Sequence, residues 1–134
     1  MLELAGGLGL PALVASQYAT RVTGSDYLQP AVDIQQQNVA LNGITNMTVL
    51  LQDWRGLQMP PGYEVALLSD INYEPGMFDH LLVLLGKLQQ AGTLIILATP
   101  QRLLARPFME SLLPLARSHE VITITQEYIS IVIL

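Results

Sequence analysis

The chain opens Met1-Leu2-Glu3-Leu4-Ala5-Gly6-Gly7-Leu8-Gly9-Leu10-Pro11, a short apolar run that passes through glycines into an amphipathic stretch. Strand, glycine turn and helix in that order form the opening unit of an α/β domain that receives a nucleotide at the turn, because residues without side chains let a ligand approach the backbone. Outward from this unit, near-continuous apolar runs at 1–5, 21–25, 47–51, 64–69, 93–98, 121–125 and 128–134 read as strands. Such runs fit parallel strands buried on both faces. The stretches 10–19, 30–41, 75–90 and 103–117 read as helices between them. Phe78, Leu81, Leu82, Leu85 and Leu88 fall at helical spacing and predict one apolar face on a sheet. Pro30 and Pro75 mark helix starts, where a missing N–H costs nothing. Asn42-Gly43 and Gly92 mark helix ends. Residues 58–62, with two prolines and a glycine, read as a loop. The last two runs are separated by Gln126-Glu127 alone, too little for a crossover, so they pair antiparallel. The expected fold is α/β: a Rossmann-like, doubly wound, mostly parallel sheet of seven strands with an antiparallel C-terminal strand.

With 134 residues, the chain has room for a single domain, 1–134, with one core. Six Lys and Arg against eleven Asp and Glu give a net charge of −5 and a pI near 4.7. That balance disfavours a nucleic-acid partner and favours cationic or neutral ligands. The absence of cysteine removes disulfides, thiolate nucleophiles and Cys-bearing zinc sites, and fits a cytoplasmic location. Mean hydropathy is high, +0.41. Yet no apolar run reaches the roughly 18–20 residues of a spanning helix, and the N-terminus lacks the basic region of a signal peptide, so no membrane role is expected. His80 and His119 lie far apart and read as helix-surface residues. Met77, Met109 and the other methionines read as gap-fillers, and no metal is expected.

Asp26 closes the second strand, where a carboxylate can accept both hydroxyl protons of a ribose. The same residues admit a plainer account: a tight strand-to-helix turn with Asp26 as a helix cap. Gly7-Leu8-Gly9-Leu10-Pro11-Ala12 also satisfies the dinucleotide fingerprint, so NAD stands as an alternative ligand. The antiparallel C-terminal pair and the lack of room for a substrate domain weigh against it.

These residues resemble those of the class I, seven-stranded, S-adenosylmethionine-dependent methyltransferases, whose last strand is antiparallel. The likeness spans essentially the whole chain. Glu3-Leu4-Ala5-Gly6-Gly7-Leu8-Gly9 resembles the family's first motif, an acidic and a hydrophobic residue before Gly-x-Gly-x-Gly, with Ala5 in place of the first glycine. The resemblance implies S-adenosylmethionine as cofactor, with Glu3, Gly7 and Gly9 at its methionyl part, Asp26 at the ribose, and Tyr27 among the cofactor-binding residues. It also implies that Asp53 and Trp54, after the third strand, hold the adenine, one accepting from the exocyclic amine and the other stacking on the ring. Ser69-Asp70-Ile71-Asn72-Tyr73-Glu74-Pro75, at the end of the fourth strand, resembles the Asp-x-x-Tyr motif of the protein-lysine methyltransferase-like subgroup. Asn38-Val39-Ala40-Leu41-Asn42, and Arg102 ahead of Phe108, resemble the same subgroup.

By that resemblance Ser69 borders the cofactor, while Asp70 and Tyr73 serve the reaction. Asp70 and Glu74 attract and orient a cationic amine, and Tyr73 borders the methyl path. The implied function is N-methylation of a protein lysine or a small amine. In the family a segment ahead of the first strand closes over the cofactor, whereas this sequence starts within that strand. A truncated cofactor-binding core without activity is therefore a further reading. An uncovered face, or a homo-oligomer covering it, is expected.

Overall fold

The computed structural model describes residues 1–56, 62–125 and 127–134, so the expected loop at 58–62 is described only at Gly62 and the remainder lies outside. The strands are β1 (Leu2–Leu4), β2 (Val22–Asp26), β3 (Met47–Leu51), β4 (Val65–Ser69), β5 (Leu94–Pro100), β6 (Ser118–Ile124) and β7 (Glu127–Ile133). The helices are α1 (Leu10–Ala15), α2 (Gln29–Leu41), α3 (Phe78–Gln90) and α4 (Arg106–Leu112). All seven strands join one sheet in the order β3-β2-β1-β4-β5-β7-β6. β1 to β5 run parallel, and β7 is antiparallel to both β5 and β6. The strand order reverses between β1 and β4. In an open α/β sheet a ligand binds at the carboxyl ends of the strands beside such a switch point.

Alternate residues of each strand supply opposite faces. Leu2, Leu4, Ala66, Leu68, Ile95, Leu97 and Val132 join Phe78, Leu81, Leu85, Leu88, Phe108 and Leu112 of α3 and α4 in the main core. The other face packs Val22 and Met47 against Ala12 and Ala15 of α1. On that second face Leu67, Ile96 and Ile133 lie side by side and are only half-buried. Gly43 and Gly92 have φ of 63° and 80°, the left-handed caps expected of them.

Several boundaries differ from the hydropathy reading: α1 ends at Ala15 and not near Ala19, Pro75–Met77 is a 3-10 turn ahead of α3, and β5 runs on to Pro100. The fourth helical stretch is one α-helical segment between 3-10 turns at Leu103–Ala105 and Leu113–Leu115, because Pro107 and Pro114 each withdraw a backbone donor. β6 begins at Ser118, earlier than its apolar residues, since Ser118, His119 and Glu120 pair with Ile133, Val132 and Ile131. Their side chains are exposed and polar, so hydropathy is silent there, and His119 lies on a strand and not on a helix.

Ala5 carries φ 52°, a left-handed conformation that costs an L-residue roughly 1–2 kcal/mol, while glycine in its place costs about 0.5–1 kcal/mol in unfolded-state freedom. Urea unfolding should therefore find Ala5→Gly between neutral and about 1 kcal/mol more stable, and Ala5→Val less stable by about 1–3 kcal/mol. A valine variant as stable as the glycine variant would contradict the backbone assignment.

Candidate functional site

β1 delivers its turn, Ala5 to Gly9, to the carboxyl edge of the sheet, and β2, β3 and β4 end beside it. A groove there is lined by Ala5, Tyr27, Trp54, Arg55, Ile71 and Tyr73, together with Glu74 and Met77. Residues from four separate strand ends thus meet at the switch point.

The glycine turn is held from several sides. Gly6 N–H donates to Ser25 O at 2.9 Å, and Gly9 N–H donates to Gly6 O at 2.8 Å. Gly7 N–H donates to Asp26 Oδ2 at 3.0 Å, while Asp26 Oδ1 accepts from Leu28 N–H at 2.9 Å. Asp26 is buried; each oxygen takes one backbone donor and retains a further lone pair. The three glycines do different work. A Cβ on Gly7 would meet nothing within 4 Å. A Cβ on Gly6 would stand 2.7 Å from Glu3 Oε2, and one on Gly9 would stand 2.8 Å from Gln35 Cγ. Gly6 and Gly9 therefore lack side chains to make room for the protein's own Glu3 and Gln35, and Gly7 leaves open space.

Glu3 points away from the main core and lies fully buried behind the turn, where Oε2 accepts from Ala12 N–H at 3.2 Å and Oε1 has no partner among the described residues. Burial pushes its carboxyl up to about 7; the Ala12 hydrogen bond opposes this and the Asp26 charge adds to it. Gln35 has no counterpart in the sequence reading. It is fully buried on α2 while its neighbour Ile34 is exposed, an inversion of the hydropathy order. The signal available was the stripe Val32, Gln35, Val39 at helical spacing, hidden inside the run Gln35-Gln36-Gln37.

On the other side, Asp53 is forked by Arg55: Nε lies 2.8 Å from Oδ1 and 2.9 Å from Oδ2. The Arg55 hydrogen bonds hold the Asp53 carboxyl below its usual range. The Arg55 guanidinium also sits 5.3 Å over the Tyr27 ring. Trp54 is buried in the main core with Ile71 and Phe78 and also lines the groove. Just past β4, Asp70 has φ 50°, and its Oδ2 pairs with the Arg102 guanidinium while its Oδ1 is unpartnered among the described residues. Burial raises the Asp70 carboxyl and Arg102 lowers it. Tyr73 is half-exposed on the groove wall, its hydroxyl pushed up by burial and then by neighbouring negative charges. Asn72 is buried and accepts from Thr99 Oγ1 at 2.6 Å, which ties this loop to β5.

Of the residues singled out in the sequence, Tyr27, Trp54, Tyr73 and Glu74 line the groove, whereas Gly7, Gly9, Asp26 and Asp70 are not among its lining residues, and Asp26 braces the turn through the Gly7 N–H. Glu3 lies behind the turn. Asp53 is exposed and engaged by Arg55. Ser69 ends β4 beside Ala98 and is not part of the groove wall. Arg55 and the Asn72–Thr99 pair, like Gln35, are visible only in three dimensions.

Residues 1–113 match the model of a family described as lysine methyltransferase. The histone-arginine methyltransferase METTL23 of Rattus norvegicus is 29% identical over 97 residues, which cover 67% of this chain and 43% of that protein. The chain thus spans less than half of that relative's length. Among solved structures, magnesium protoporphyrin IX methyltransferase from Synechocystis PCC 6803 with bound S-adenosylmethionine superposes with a TM-score of 0.71 at 18% identity, covering 98% of this chain and 67% of that one. Ribosomal protein L11 methylase from Lactobacillus delbrueckii subsp. bulgaricus gives 0.73 at 16% identity, covering 99% and 68%. At these identities the likeness is one of fold.

The burial of Glu3 has a pH signature. Its native form favours the neutral acid, so native stability is highest below the ordinary value of 4.5 and declines as pH rises toward about 7. Glu3→Gln removes that slope. Urea unfolding should show the variant gaining about 2–3 kcal/mol on the wild type between pH 5 and pH 8. A constant difference between the two proteins across this range would show that Glu3 ionises freely.

Proposed function

The chain belongs to the lysine methyltransferase family, and from that premise we propose that it is an S-adenosylmethionine-dependent N-methyltransferase whose acceptor is a protein lysine or a small amine. The observation that carries the reading is the groove at the switch point, lined by Ala5 of the turn, Tyr27, Trp54, Tyr73 and Glu74, with Asp26 bracing the turn through the Gly7 N–H and Asp70 preceding Tyr73 on the loop after β4. The residues fit the cofactor in three respects. Gly7 leaves space above the turn where a side chain would intrude. Asp26 keeps a lone pair on each oxygen for ribose hydroxyls. Tyr27 and Trp54 present aromatic surface on the wall. An order with an antiparallel β7 between β5 and β6 also departs from the six parallel strands of a dinucleotide fold, which weighs against NAD.

When bound, the cofactor supplies a methyl group on a sulfonium, which an acceptor lone pair displaces in line. The protein's task is alignment and exclusion of water. Asp26 orients the ribose, and Asp53, held by Arg55, keeps lone pairs for the adenine amine. An amine acceptor has a lone pair only after losing a proton, from a pKa of about 10.4 for lysine. Asp70 and Glu74 give the groove an acidic side that draws the ammonium in and holds its N–H bonds, and Tyr73 borders the methyl path. Asp70 already carries a guanidinium, that of Arg102, so an arginine acceptor is the second reading, in keeping with the histone-arginine relative. A cofactor-binding core without turnover of its own is the remaining alternative.

The test is transfer of a labelled methyl group from S-adenosylmethionine to lysine-containing and arginine-containing histone peptides and to small amines. Transfer to lysine or amine supports the first reading, and transfer to arginine alone the second. Binding of the cofactor without transfer to any acceptor would leave the inactive core. Asp70→Ala should lower turnover about a hundredfold or more through loss of acceptor alignment, while affinity for S-adenosylhomocysteine changes little. An unchanged rate would remove Asp70 from the mechanism.

A further inference from the structure

Gln35 is the anomaly of α2: an uncharged amide with no exposed surface, beside an isoleucine that faces solvent. Burial of an amide is unfavourable unless its hydrogen bonds are replaced, so a sequence free to place Leu there would gain from doing so. The side chain threads behind the nucleotide turn. Its Nε2 donates to Gly7 O at 3.1 Å. Its Cγ would lie 2.8 Å from a Cβ on Gly9, and its Oε1 2.6 Å from a Cβ on Gly24. Gly7 O can only accept, which fixes the amide nitrogen toward the turn and leaves Oε1 unpartnered among the described residues. One turn further along α2, Asn38 Nδ2 donates to Leu8 O at 3.0 Å. Two successive carbonyls of the turn are thus drawn toward the helix by side-chain amides.

A trans peptide points its C=O and N–H in opposite directions. With Gly7 O drawn inward, the N–H of Leu8 faces outward. It makes no hydrogen bond among the described residues, and Leu8 is exposed. Without a side chain, Gly7 at φ 55° has little intrinsic preference to hold that peptide in place.

We propose that Gln35 is a positioning residue of the cofactor site, which through the Gly7 carbonyl turns the Gly7–Leu8 peptide so that the Leu8 N–H receives the carboxylate of the cofactor's amino-acid end. The inference rests on the cofactor proposed above. It is specific to one end of the ligand, because nothing in it touches the adenosine.

The test compares S-adenosylhomocysteine with 5′-methylthioadenosine, which keeps the adenosine and sulfur but lacks the amino-acid end. Both are titrated calorimetrically into the wild type and into Gln35→Met, which keeps the length of the side chain and loses the donor; Gln35→Leu is the second variant, and circular dichroism checks the fold of each. S-adenosylhomocysteine should weaken by roughly tenfold, the scale of one lost hydrogen bond, while 5′-methylthioadenosine is unaltered. Equal losses for the two ligands, or none for either, would overturn the proposal and leave Gln35 a packing residue. The wild-type constants judge the cofactor itself: a folded wild type that binds neither ligand removes the cofactor reading and this one with it, whereas a wild type that binds both confines any failure to Gln35.

Discussion

A turn made largely of glycine cannot hold itself in shape, and the carboxyl edge of this sheet depends on how the turn from Ala5 to Gly9 is held from outside. Asp26 grips the Gly7 N–H, Gln35 the Gly7 carbonyl and Asn38 the Leu8 carbonyl. Each clamp comes from an element that follows the turn in sequence, so the ligand edge forms only once β2 and α2 have packed. Glu3 sits behind the same turn with one oxygen unpartnered among the described residues, in a position that favours its neutral form. The glycines make these contacts sterically possible: two of them clear space for Glu3 and Gln35, and one clears space for a ligand.

The far side of the groove is arranged by charge and less by shape. Asp53 follows β3 and Asp70 follows β4, strands that β2 and β1 separate in the sheet, and each is matched by an arginine, Arg55 or Arg102. These pairs are substantially exposed, where an ion pair contributes little to stability. Their consequence is orientation. Asp53 is aimed by a two-pronged guanidinium that also lies on Tyr27, and Asp70 holds the guanidinium of Arg102.

Fold class was open to inspection in the chain because hydrophobic period and turn chemistry are local. The five parallel strands, the four helical stretches and the antiparallel end pair all appear as runs of residues whose burial requires no knowledge of distant partners. The misplacements have local causes too: Pro107 and Pro114 broke a helix that apolar spacing extends, and Ser118 to Glu120 pair through backbone alone, which no side-chain pattern reports. At the site, the residue types that resemble the family's motifs were visible, but Gln35 was not, because its place in the Val32, Gln35, Val39 stripe is masked by a run of three glutamines that hydropathy reads as polar.

What the sequence determined by itself is the alternation of strand and helix, the glycine turn at the first crossover, and the acidic residues at the strand ends. These follow from periodicity, from the backbone freedom of glycine and from the order of residues along one chain. What only the tertiary structure decided is which partner each polar group takes: Glu3 behind the turn and not in the groove, Asp53 with Arg55, Asp70 with Arg102, Trp54 in the core as well as on the wall, and Gln35 against Gly7. A hydrogen bond or ion pair between distant residues is a matter of angstroms, set by how helices seat on the sheet, and a sequence carries that only through the fold it produces.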